Sequence, residues 1–81
     1  MNVNLQKYWF KYIKEKVKTV SYISILYEGT ESFIKVIIKN HSGGKDTVLF
    51  KLTTEPQYLT SNTYEHVLEQ LITGSYVEAI I

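Results

Sequence analysis

The stretch FIKVIIKNHSGGKDTVLFKLT, residues 33–53, decides the fold. Its flanks, FIKVIIKN and TVLFKLT, are rich in β-branched and aromatic residues and alternate with a period of two. At that spacing successive side chains leave a pleated strand on opposite faces. The glycines between them mark a tight turn, so the flanks read as two antiparallel strands joined by a hairpin. Upstream, TVSYISILY has the same character and reaches FIKVIIKN through EGTE, a second turn. Connections this short cannot carry a parallel crossover, so the three segments form an antiparallel meander.

The hairpin loop HSGGKDT, His41–Thr47, resembles the SGG-x-D-S loop of ATP pyrophosphatases, whose glycine amides cradle a pyrophosphate. Such a cradle needs a helix N-terminus behind it, carried on a parallel α/β sheet. Here the glycines lead into TVLFKL, which alternates as a strand, and Thr47 stands where the motif has serine. The loop is expected to be a turn without a ligand, with Gly43 and Gly44 supplying positive φ angles.

Outside the meander the period changes to that of a helix. From Asn4 to Lys18, Leu5, Trp9, Tyr12, Ile13 and Val17 recur at helical spacing, with Asn4 as the N-cap. After Leu52 an irregular stretch follows, in which Pro56 is expected to stop the strand. NTYE then resembles a capping box, with Asn62 as cap and Glu65 three residues on. It leads into a stripe of Tyr64, Val67, Leu68, Leu71 and Ile72 that ends at Gly74. The tail SYVEAII is a candidate fourth, edge strand. The predicted class is α+β: helix, three-stranded antiparallel meander, helix and C-terminal edge strand, in a single domain over 1–81.

Composition sets the limits. With 44 % hydrophobic residues and one proline the chain has enough apolar material for one core, and 81 residues leave none for a second. The absence of cysteine removes disulfides, thiolate metal sites and thiol nucleophiles. Two histidines make no metal cluster, and no base stands near the serines and threonines. A non-enzymatic protein without cofactor or metal is the expectation. The opening MNVNLQKYWFKYIKEK has no apolar signal core and no segment is long enough to span a bilayer, which favours a cytoplasmic protein without a membrane partner. Net charge is +1, but residues 1–20 hold five of the nine lysines, and arginine is absent.

Two surfaces are candidates for binding. Lys7, Lys11, Lys14 and Lys18 fall at spacings of four, three and four, forming one ridge on the side of the first helix away from its apolar stripe. Beside Tyr8 and Tyr12, that ridge is an anion-binding candidate suited to a nucleic-acid backbone. On the sheet, if Ile34, Val36, Ile38, Val48, Phe50 and Leu52 face the helices, pleating sends Phe33, Lys35, Ile37, Lys39, Leu49 and Lys51 to the other face. Apolar residues among lysines on a second face suggest a protein partner, a homodimer contact, or cover by the tail.

The element order is shared with double-stranded RNA-binding domains. Those carry a lysine cluster at the start of their second helix, where this chain has TSNTYEHV. The chain also resembles small phage-encoded anti-CRISPR proteins, in its MNVN start and short helix, the strand after KTV, and TESFIKVIIKN with its glycine turn. That resemblance implies a compact inhibitor from a mobile element, acting by binding another macromolecule. The family inhibits through an acidic surface that imitates DNA. The acids here, among them Glu28, Glu31, Glu55, Glu65, Glu69 and Glu78, are scattered, so the resemblance does not carry the target over.

Overall fold

A computed structural model describes residues 3–74, and the expected strand SYVEAII lies outside them. The order is α1 (Val3–Lys16), β1 (Val20–Glu28), β2 (Glu31–Lys39), β3 (Lys45–Lys51), a 3-10 turn at Pro56–Tyr58, and α2 (Ser61–Thr73). The strands form one antiparallel sheet in the order β1-β2-β3, and both helices cover one of its faces. The α+β class and the meander are as predicted.

The inner face of β2 and β3 is the one the alternation selects: Ile34, Val36, Ile38, Val48, Phe50 and Leu52 are all buried. Against them lie Trp9 and Ile13 from α1, Tyr64, Val67 and Leu71 from α2, and Leu59 from the connection. Trp9 stacks on Tyr64 with centroids 6.1 Å apart, and Phe10 meets the same ring edge-on at 6.0 Å, so one aromatic cluster joins the two helices.

Strand β1 does not keep a strict period of two. Val20 pairs with Ile38 and Tyr22 with Ile37, leaving Ser21 as the extra residue of a bulge, where its hydroxyl donates to the Ile37 carbonyl at 3.2 Å. The bulge lets both Val20 and Ile23 point into the core, while Tyr22 turns to the opposite face, 53 % exposed.

Several local expectations need correction. Pro56 does not end β3, which stops at Lys51; it opens the 3-10 turn, whose Leu59 boundary residue is buried in the core. The second helix begins at Ser61, with Thr60 as its cap and no side-chain capping bond, so the capping box at Asn62 does not form. Gly74 closes that helix in the left-handed region at φ 75°, as expected. Ile72 is 64 % exposed and stands outside the core stripe.

Candidate functional site

The loop between β2 and β3 is organised by Asn40, a residue expected to end a strand. Its side-chain oxygen accepts from the Ser42 amide at 3.0 Å and the Gly44 amide at 2.9 Å. The Gly43 amide donates to the Asn40 carbonyl at 3.2 Å. The amides that would hold a phosphate are thus turned onto Asn40. Gly43 has φ 83°, but Gly44 does not adopt a positive φ. A Cβ on Gly44 would instead approach the Asn40 side chain to 3.3 Å.

On the outer face of the sheet, register aligns three rows: Tyr22–Ile37–Thr47, Ser24–Lys35–Leu49 and Leu26–Phe33–Lys51. Phe33, Ile37 and Leu49 lie there together, as the alternation predicted, joined by Tyr22 and Leu26 from β1. Leu26, Phe33, Ile37 and Leu49 are half-buried and Tyr22 is exposed, and none of the five is among the side chains packed against the core. Lys35, Lys39, Lys45 and Lys51 share this face, so every lysine beyond residue 20 is on it. Lys51 pairs with Glu31 at 2.6 Å near the β1–β2 turn. Tyr22 and Leu26 were missed because their assignment depends on the bulge at Ser21.

The lysine ridge is placed differently from expectation. Lys7, Lys11, Lys14 and Lys18 line an open groove of about 540 Å³ between α1 and β1, where Phe10, Tyr22 and Ile23 supply apolar surface. Helix α1 ends at Lys16, so Lys18 reaches the groove from the following turn. Tyr8 and Tyr12 do not line the groove; they stack on each other at 5.9 Å, and Tyr12 meets Trp9 edge-on. The fifth lysine of this region, Lys16, sits over the Tyr12 ring at 5.4 Å.

Among the described residues no group of three or more His, Asp or Glu side chains is arranged to hold a metal ion. His41 and His66 are both exposed and lie on separate elements. Among the described residues no helix is long and apolar enough to cross a membrane. No protein-family model, curated protein or solved structure matches the chain.

Proposed function

We propose that this is a small non-enzymatic binding protein, an inhibitor or regulator of a host or phage protein of the mobile-element kind that its N-terminal half resembles. Its contact surface is the outer face of the sheet. The observation that carries the reading is the composition of that face, where Tyr22, Leu26, Phe33, Ile37 and Leu49 are interleaved with Lys35, Lys39 and Lys51. An apolar patch set mainly among lysines, with Glu28 and Glu31 confined to one end, suits a protein surface that is apolar at its centre and acidic at its rim. Full burial of Phe33, Ile37 and Leu49 would contribute about 1.5–3 kcal/mol each.

The test is the double variant Ile37→Ser with Leu49→Ser. Affinity capture from the native host with the wild-type chain as bait identifies the partner, and the variant is expected to lose it while keeping the circular dichroism of the fold. Sedimentation of the purified protein separates a second copy of the chain from a foreign partner as occupant. If the variant unfolds, the face is core and the reading fails.

The second reading is a nucleic-acid-binding module, favoured by the convergence of Lys7, Lys11, Lys14 and Lys18 on one groove. It requires retention of single- or double-stranded nucleic acid that falls steeply with salt and is abolished by Lys11→Glu with Lys14→Glu.

A further inference from the structure

The groove between α1 and β1 combines three features that a generic basic patch lacks. Its cations stand in a row, it contains apolar surface, and it runs beside a strand edge that is unpaired among the described residues. In the β2–β3 ladder the Leu52 amide donates to the Ser32 carbonyl at 2.9 Å, so even-numbered residues of β2 bond toward β3 and odd-numbered ones toward β1. Their partners Tyr22, Ser24, Leu26 and Glu28 therefore bond inward. By the same alternation the backbone groups of Ile23, Ile25 and Tyr27 point away from the sheet, and among the described residues no strand pairs with that edge. Ile23 also lines the groove.

The geometry points to a peptide-binding site: the groove takes an extended acidic segment of a partner protein, added as a strand to the β1 edge. Charge complementarity selects the occupant, since four lysines face the groove and Glu15 is its one acid. From Lys7 to Lys14 the helical part of the row covers roughly 10 Å at the helical rise, the length of about three extended residues, and Lys18 continues it from the following turn. A strand presents side chains to alternate sides, so an alternating acidic and apolar segment offers carboxylates to the lysines on the helix side and apolar groups to Tyr22 on the outer side. A nucleic-acid strand would match the lysines but leave the amides and carbonyls of the β1 edge without a repeating partner. This site shares Tyr22 with the outer sheet face but is built on the lysine row and the β1 edge, which that face does not include.

The test uses the whole chain and a seven-residue peptide of alternating Val and Glu, followed by amide chemical shifts. Saturable shifts at Ile23 and Ile25 are expected, with at least a tenfold loss of affinity for the Gln-for-Glu peptide and for Lys11→Glu with Lys14→Glu. Lys7→Gln with Lys18→Gln provides a milder second variant should the reversal disturb folding. A peptide N-methylated on alternate amides, in both registers, should bind at least tenfold more weakly in one register. Absence of saturable shifts overturns the proposal, as do shifts confined to another surface or binding indifferent to N-methylation in both registers. Tighter binding of an oligothymidylate at the same residues overturns it in favour of nucleic acid.

Discussion

Tyr64→Phe should stabilise the protein. Tyr64 is fully buried at 0 % exposure, and its hydroxyl has no hydrogen-bond partner among the described residues. A buried hydroxyl without a partner costs roughly 1–3 kcal/mol relative to its hydrated state. Phenylalanine removes that penalty and keeps the ring between Trp9 and Phe10, so the 6.1 Å stack and the 6.0 Å edge contact persist. A gain of about 1 kcal/mol corresponds to a rise of roughly 4–8 °C in Tm for a domain of this size. Urea denaturation should show a higher midpoint with an unchanged slope.

Burial also raises the Tyr64 pKa above the ordinary 10.0. Above that pH the unfolded chain releases the phenol proton while the folded chain retains it, so the unfolded state binds fewer protons and stability falls as pH rises through the folded value. The difference between wild type and variant should therefore widen above pH 10. A Tyr64→Phe variant less stable than wild type by 1 kcal/mol or more would refute the reasoning, because it would mean that the hydroxyl has a partner.

Three further outcomes are expected. Asn40→Ala removes the acceptor shared by the Ser42 and Gly44 amides and should cost about 1 kcal/mol in urea unfolding, with loss of ordered amide shifts in the loop. Gly43→Ala places a side chain at φ 83° and should cost roughly 1–2 kcal/mol, while Gly44→Ala, which meets only the end of the Asn40 side chain, should cost less in the same assay. Lys51→Gln breaks an ion pair whose side chains are 45 % and 49 % exposed, so the change in stability should stay below about 1 kcal/mol and shrink further with salt.

The alternation of TVLFKL and FIKVIIK was sufficient to name both faces of β2 and β3, because the period of two is a property of the strand itself. The α1 core positions Trp9 and Ile13 and the left-handed end of α2 at Gly74 were legible for the same local reason. Tyr22 and Leu26 could not be placed by pattern alone, since the bulge at Ser21 changes which residues share a face and is defined only by the partner strand. Likewise, the spacing of Lys7, Lys11, Lys14 and Lys18 establishes a row on a helix but not what stands beside it. Only the packing of Trp9 and Phe10 on Tyr64, more than fifty residues away in the chain, goes with an orientation of α1 that lays that row beside Tyr22 and Ile23. Local periodicity decided which side chains face inward or outward along each regular run. The surfaces those side chains build together were set by contacts distant in sequence, where burial of the shared core determines how one element lies on the next.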